Sequence, residues 1–227
     1  NNVTTQYFGK TSATEALGNA LELDSYSGEP INSSNSHISV SGTNLDFRKT
    51  VSMELWFYVN SFGNTWSPII NKATTAGSTE RTYTLWLNNT GYLHLTSSDG
   101  TQESLNTPTN AVQTGKWYHY LGVIDRNTGN MAYYLRDIDG NLITNSMALR
   151  TTTSVSTSTY SFKIGSSHQV STSYSPFDGY IDEVAIYNKA LTSADALEHF
   201  TIATTIPEPA TIFCFFLTIL WIIRKKY

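Results

Sequence analysis

Cysteine is almost absent from this sequence. Its single cysteine, Cys214, lies close to the C-terminal end, so no disulfide framework or cysteine metal site is available to the rest of the chain. The five histidines (His37, His94, His119, His168 and His199) are scattered without metal-ligand spacing. No Gly-x-Ser-x-Gly elbow or phosphate-cradling loop occurs. Charge is sparse: 14% of residues are charged and the formal balance is −4. A thin, mildly acidic charge of this kind argues against a nucleic-acid partner. Long helical periodicity is missing before Thr192, as are internal repeats and signs of a second domain. No methionine stands at Asn1, and the expectation is that an N-terminal segment such as a signal peptide has been removed.

What the sequence does have is Thr, Ser, Asn and Tyr in short alternating runs, with turn residues at a spacing of about ten. Residues 1 to 20 read as an irregular lead-in ending in the Gly18-Asn19 turn, before a strand at Ala20 to Asp24. A polar loop follows, then a strand at His37 to Val40. Val51 to Val59 is the first long strand. Met53, Leu55, Phe57 and Val59 share one face, and Glu54, Trp56 and Tyr58 the other. Pro68 to Lys72 and Tyr83 to Leu87 continue the series. Asn88-Asn89-Thr90-Gly91 then turns into Tyr92 to Leu95, the clearest hairpin in the chain. Lys116 to Asp125 has no polar face, so it is expected to be covered on both sides. Met131 to Ile138, Leu142-Ile143, Tyr160 to Gly165 and Tyr180 to Tyr187 follow, with a Ser/Thr loop at 150 to 159. Thr192 is the N-cap of a short helix through about Phe200, with Asp195 three residues on in place of the usual Glu. The pattern indicates one all-β, antiparallel β-sandwich. Its expected core is Leu21, Leu23, Ile38, Met53, Leu55, Phe57, Trp117, Leu121, Val123, Ile164, Ile181 and Val184.

The chain closes with Pro207-Glu208-Pro209, an uncharged run from Ala210 to Ile223, and Arg224-Lys225-Lys226. As a helix the run would be about 21 Å long, short of a hydrocarbon core of about 30 Å. Including Thr205 and Ile206, with a slightly thinned bilayer and snorkelling lysines, closes the gap. The expectation is therefore one C-terminal transmembrane helix over 210–227, joined by a 201–209 linker to a sandwich domain over 1–200. The basic end, Arg224, Lys225 and Lys226, belongs on the cytoplasmic side. These three ordered parts resemble the PEP-CTERM sorting signal of Gram-negative bacteria. That resemblance implies recognition at the inner membrane by an exosortase, with the protein exported or held at the cell surface. The implied location is the bacterial inner membrane, single-pass, with the sandwich periplasmic or extracellular.

A second resemblance spans residues 18 to 200. Gly115-Lys116-Trp117-Tyr118-His119, the stretch Phe177 to Leu191 and Gly18 to Asp24 are similar, in that order, to the central, closing and opening strands of laminin-G-like, concanavalin A-like jelly rolls. One departure is that Asp139-Gly140 falls two residues later than in the family, so a bulge or longer hairpin is expected there. Some members are glycosidases, whose two carboxylates stand about 5 to 9.5 Å apart. Here the nearest string, Glu22-Leu23-Asp24-Ser25-Tyr26-Ser27-Gly28-Glu29, breaks alternation at a turn, and Asp182 and Glu183 diverge, so no catalysis is expected. His119 reads as a satisfied core histidine. The resemblance also implies a structural Ca²⁺ held by Asp24 and Asp182 with carbonyls near Ser27 or Gly28. The alternative is that Asp182 accepts backbone N–H bonds from that loop. Aromatic side chains are the remaining lead: Trp66, Trp86, Tyr92 and Tyr174 foremost, with Tyr83, Tyr160 and Phe177. A sugar ring can stack on such faces, although Trp86 and Tyr92 can equally pair across their hairpin. The function expected is a non-catalytic, exported binding or adhesion module for a carbohydrate or glycoprotein, anchored by its tail. The alternative is an accessory or scaffold subunit of an inner-membrane complex, photosynthetic or respiratory.

Overall fold

The structure, a computed structural model, describes residues 8–14, 17–23, 31, 37–41, 45–75, 79–98, 100–155 and 159–205. Along the chain lie β1 (Phe8–Thr11), β2 (Asn19–Leu23), β3 (Ile38–Val40), β4 (Thr50–Val59), β5 (Trp66–Ala73), β6 (Arg81–Asn88) and β7 (Leu93–Ser98). They are followed by β8 (Gln102–Asn106), β9 (Trp117–Asp125), β10 (Asn130–Asp137), β11 (Leu142–Ala148), β12 (Phe162–Ile164), β13 (Gly179–Tyr187) and the helix α1 (Ser193–Thr205). Among the described residues they form two sheets. Sheet A runs β1-β2-β13-β4-β9-β10-β11, and sheet B runs β3-β12-β5-β6-β7-β8. Neighbouring strands pair antiparallel throughout.

Alternation explains the layers. Met53, Leu55, Phe57 and Val59 of β4 and Tyr118, Tyr120 and Ile124 of β9 meet Tyr83, Leu85, Leu87, Leu93 and Leu95 of sheet B in one core. Tyr83, an aromatic candidate, is 0% exposed there and donates from its hydroxyl to the Leu45 carbonyl at 2.6 Å. The β6–β7 hairpin closes where Asn88 Oδ1 accepts the Thr90 N–H at 3.0 Å. Gly91 completes that turn at φ 72°, where a Cβ would stand 2.4 Å from the Val112 carbonyl oxygen. Glycine alone fits both demands.

Several expectations change. The lead-in contains β1, and β8 is a strand despite its polar sequence, Gln-Glu-Ser-Leu-Asn. β11 runs to Ala148 rather than stopping at Ile143. No bulge interrupts the β10–β11 ladder, so the late Asp139-Gly140 is absorbed in the hairpin loop, with Gly140 at φ 87°. Trp117, Leu121 and Val123 lie outside the inter-sheet core. They sit on the outer face of sheet A, in two clusters shared with α1. Leu21, Ile38 and Val184 are partly buried against the main core. α1 begins as read, with the Asp195 N–H donating to Thr192 Oγ1 (3.2 Å) and the Thr192 N–H to Asp195 Oδ2 (2.6 Å). It extends past Phe200 to Thr205 because Ala203 also packs against sheet A. No helix among the described residues is long and apolar enough to cross a membrane. Pro207, Glu208, Pro209, the run 210–223, Arg224, Lys225 and Lys226 lie outside the described residues.

One end of the sandwich is closed by an ion pair. Arg126, 1% exposed, reaches Glu103 Oε2 at 2.8 Å, the Thr151 carbonyl at 3.0 Å and Ser97 Oγ at 3.1 Å. The Arg150 N–H donates to the other Glu103 oxygen. Removing one member of such a pair leaves a buried charge without a partner. Glu103→Ala is therefore expected to cost about 3–5 kcal/mol in urea denaturation, with most of the loss recovered when Arg126→Met is added.

Candidate functional site: an aromatic cleft on sheet B

The outer face of sheet B is set by register. Trp66 pairs with Asn88, Pro68 with Trp86, and Trp86 with His94, so Trp66, Trp86 and His94 all point away from the core. Residues 165–175 leave β12 at Gly165, whose N–H donates to the Ile69 carbonyl at 2.9 Å. They return beside β5, where Trp66 N–H donates to Ser173 O and Ser175 N–H to Trp66 O, both at 3.0 Å. This detour brings Tyr174 against Trp86, ring centroids 5.0 Å apart, although 88 positions separate them in the chain. The result is a cleft of about 200 Å³ lined by Trp66, Arg81, Trp86, His94, Gln102 and Tyr174.

Arg81 supplies the charge. Strict alternation would send it inward with Tyr83. However, the β5–β6 register pairs Lys72 with Tyr83 and then Ala73 with Arg81, and the extra residue turns Arg81 outward. Its guanidinium lies 5.1 Å from the Trp86 ring centroid, and Nη2 donates to Gln169 Oε1 at 3.2 Å. Burial lowers its pKa, and the neighbouring Tyr174 hydroxyl partly offsets that. Arg81 is 6% exposed, no carboxylate pairs with it among the described residues, and its Nε has no hydrogen-bond partner. His94 has its pKa lowered by burial, against a hydrogen bond to Asn106 and with help from Arg81. Its contacts fit the neutral ring, with Nδ1–H donating to Asn106 Oδ1 at 2.6 Å and Nε2 accepting from Gln102 Nε2 at 3.1 Å.

The sequence candidates divide accordingly. Trp66, Trp86 and Tyr174 line the cleft, with Trp86, 1% exposed, as its floor rather than an open platform. Tyr92 buttresses Trp66 edge-on at 5.5 Å instead of pairing with Trp86. Tyr83 and Phe177 belong to the core, and Tyr160 packs on His168 at 4.9 Å, away from the cleft. Arg81, His94 and Gln102 are the members that the sequence did not single out.

A larger hollow, about 310 Å³, lies between α1 and the outer face of sheet A. Its polar centre is Glu54, 5% exposed, which accepts from His119 Nε2 at 2.8 Å, Tyr187 Oη at 3.1 Å and His199 Nδ1 at 2.9 Å. Phe200 stacks on Trp56 at 5.5 Å beside them. His119 is thus a satisfied buried histidine, as expected, and this network fastens α1 to the sheet. Its polar groups answer one another, whereas no carboxylate among the described residues answers the guanidinium in the smaller cleft.

Residues 32–196 match the family described as the Concanavalin A-like lectin/glucanases superfamily (Laminin_G_3), across more than half of the chain. The chain belongs to this family. No curated protein matches it. Among solved structures, the CBM40 of the Ruminococcus gnavus IT-sialidase, bound to α2,3-sialyllactose, has a TM-score of 0.60 at 14% identity, over 80% of this chain and 95% of that one. A NanB sialidase from Streptococcus pneumoniae gives 0.58 at 16% identity, over 84% of this chain and 27% of that one. The binding domain of botulinum neurotoxin serotype D/C gives 0.54 at 17%, over 82% and 48%. At these identities the likeness is one of fold.

The calcium place expected of a concanavalin A-like domain is only partly visible, because Asp24, Ser27 and Gly28 lie outside the described residues. Leu23, the last residue of β2, pairs with Gly179, three positions before Asp182. Asp182 accepts the Glu183 N–H at 2.9 Å and burial raises its pKa, while the loop N–H groups of the alternative reading lie outside the described residues. Among the described residues no group of three His, Cys, Asp or Glu could hold a metal. They do not by themselves compose the oxygen shell of about six to eight that calcium takes, and no role is assigned to the ion.

Glu54 gives the domain a defined response to acid. Burial alone would raise its pKa, but the bonds from His119 and His199 outweigh it and hold it below the ordinary carboxylate value of 4.5. A lowered folded-state pKa means stability that is present above the unfolded value and lost as pH falls through the folded one. Urea midpoints from pH 7 down to pH 3 are expected to drop below about pH 4.5, more steeply for the native chain than for Glu54→Gln.

Proposed function

We propose that this domain is a non-catalytic glycan-binding module whose cleft takes an acidic sugar. The observation that carries this reading is the meeting of Trp66, Trp86 and Tyr174 around the buried Arg81, with which no carboxylate among the described residues pairs. Aromatic walls offer a flat apolar surface to a sugar ring. A buried guanidinium favours a carboxylate, which it can engage with two parallel N–H bonds. His94 and Gln102 add neutral donors and acceptors at the rim. Fold-level likeness to a sialyllactose-binding module supports the choice of ligand class, as analogy.

The same proposal holds the module outside a bacterial inner membrane by the 210–227 segment, on the strength of Pro207-Glu208-Pro209, the apolar run and the basic end. The scaffold alternative draws on that same tail and gains nothing from the cleft.

Calorimetric titration of the full chain with α2,3-sialyllactose and with lactose tests the binding reading. Sialyllactose is expected to bind and lactose to bind at least about tenfold more weakly, from the loss of a charge-assisted contact. Trp66→Ala should weaken sialyllactose by about tenfold, and Arg81→Met should abolish the preference, with circular dichroism confirming that both variants fold. Equal affinity for both sugars removes the acidic part of the reading, and binding of neither removes the whole.

A further inference from the structure

Beneath the segment that carries Tyr174 lies a row of polar residues that the aromatic cleft does not use. Lys163 pairs with Asn71, Asn71 with Thr84, Thr84 with Thr96 and Thr96 with Ser104, which places one polar file across five strands on the outer face of sheet B. Ser98 lies one outward position beyond Thr96 and pairs with Gln102, a wall of the cleft. Asn71, Thr96 and Ser98 are each 0% exposed. Both Asn71 side-chain atoms, Thr96 Oγ1 and Ser98 Oγ have no hydrogen-bond partner. Thr84 is different, because its hydroxyl accepts from Trp86 Nε1 at 2.9 Å and so joins this floor to the cleft. Buried polar groups are costly to leave unmet, and so many on one face call for a reason.

The cover over that face is held between its ends by side chains rather than by a backbone ladder. Its ends are fixed by backbone bonds at Gly165 and at Ser173 and Ser175. Between them side chains tie the segment down, among them Lys163 Nζ to Ser167 O at 3.2 Å, His168 Nε2 to Ser161 O at 2.9 Å, Arg81 Nη2 to Gln169 Oε1 at 3.2 Å, Gln169 Nε2 to Thr74 O at 3.4 Å and Asn64 Nδ2 to Thr172 O at 3.1 Å. Ser166 Oγ on its underside is buried and unpartnered as well. At its tip Val170 is 73% exposed, an apolar side chain held in water.

We propose that residues 166–172 are a lid, and that Asn71, Thr96 and Ser98 beneath it form a second sugar subsite continuous with the aromatic cleft. The proposal rests on the glycan reading and extends it from one ring to an oligosaccharide. An amide and two hydroxyls present both donors and acceptors, which matches the paired hydroxyls of a pyranose. With the acidic ring against Arg81 and Trp66, the next sugar lies over Ser98 and Thr96 once the Gln169 contacts part. Lid opening exposes the groups that the closed state leaves unmet, so the ligand replaces no protein hydrogen bond at the floor.

Thr96→Val and Ser98→Ala delete one unmet hydroxyl each while nearly keeping the shape. In the full-length chain, Kd is measured for α2,3-sialyllactose and for free N-acetylneuraminic acid, together with the thermal midpoint. The trisaccharide Kd is expected to rise about fivefold in each variant, with the monosaccharide Kd within about twofold and the midpoint unchanged or raised. Gln169→Ala, which frees the lid, should raise the trisaccharide association rate and leave that of the monosaccharide unchanged. If both sugars weaken equally, or neither weakens, or Gln169→Ala leaves both rates unchanged, the lidded subsite is overturned while the glycan reading stands. A native chain that binds neither sugar overturns both.

Discussion

Coverage of β4 on both faces is the constraint on which the rest of the structure depends. One face of this strand belongs to the inter-sheet core and the other lies under α1, so every polar atom on the second face must find a partner inside the protein. Glu54 is the severe case, because a carboxylate buried alone would cost far more than a single hydrogen bond returns. His119, Tyr187 and His199 resolve it from three different elements. The order of sheet A follows, since β9 and β13 must flank β4 to deliver two of those partners. The placement of α1 follows too, since it delivers the third.

The two outer faces are consequently unlike each other. Sheet A is sealed by a helix whose Phe200 stacks on Trp56, and the buried Glu54 carboxylate beneath it is fully engaged. Sheet B carries hydroxyls, amides, a guanidinium with no carboxylate partner among the described residues and aromatic rings, under a loop instead of a helix. A sandwich can spend only one outer face on internal packing and still present a recognition surface. In this chain that division falls along the sheet boundary, and the file of unmet side-chain groups at Asn71, Thr96 and Ser98 lies on sheet B.

Much of this was legible in the residues. The alternation of Met53, Leu55, Phe57 and Val59, the Asn88 to Gly91 turn and the Thr192–Asp195 cap depend on neighbours within a few positions, and each appears as read. β8 was not legible, because Gln102 to Asn106 carries one strongly apolar side chain and reads as loop without its partner β7. Trp117 was assigned to the wrong layer, since a strand without a polar face does not announce which side meets the other sheet. In the cleft, Trp66, Trp86 and Tyr174 were legible as aromatic candidates but not as a group, because only the detour after Gly165 brings Tyr174 home. Arg81 was hidden by a bulge. It precedes the Tyr83 to Leu87 strand read from the sequence, and a single extra residue in β6 turns it outward beside Trp86.

The attachment of α1 also sets how the domain bears load. β13 lies in mid-sheet, hydrogen-bonded to β2 on one side and β4 on the other, so tension along the chain at its C-terminal end would strain many ladder bonds together in shear. α1 is held differently, by the His199–Glu54 bonds, the Thr14 bond to the Ala203 carbonyl at 2.6 Å and the Phe200 stack, which come under strain one after another. Pull arriving from residue 205 therefore peels α1 from its last turn inward, while β13 stays zipped. Under such a pull the helix would act as a mechanical fuse, yielding first and lengthening by its own uncoiling before the ladders of β13 are loaded.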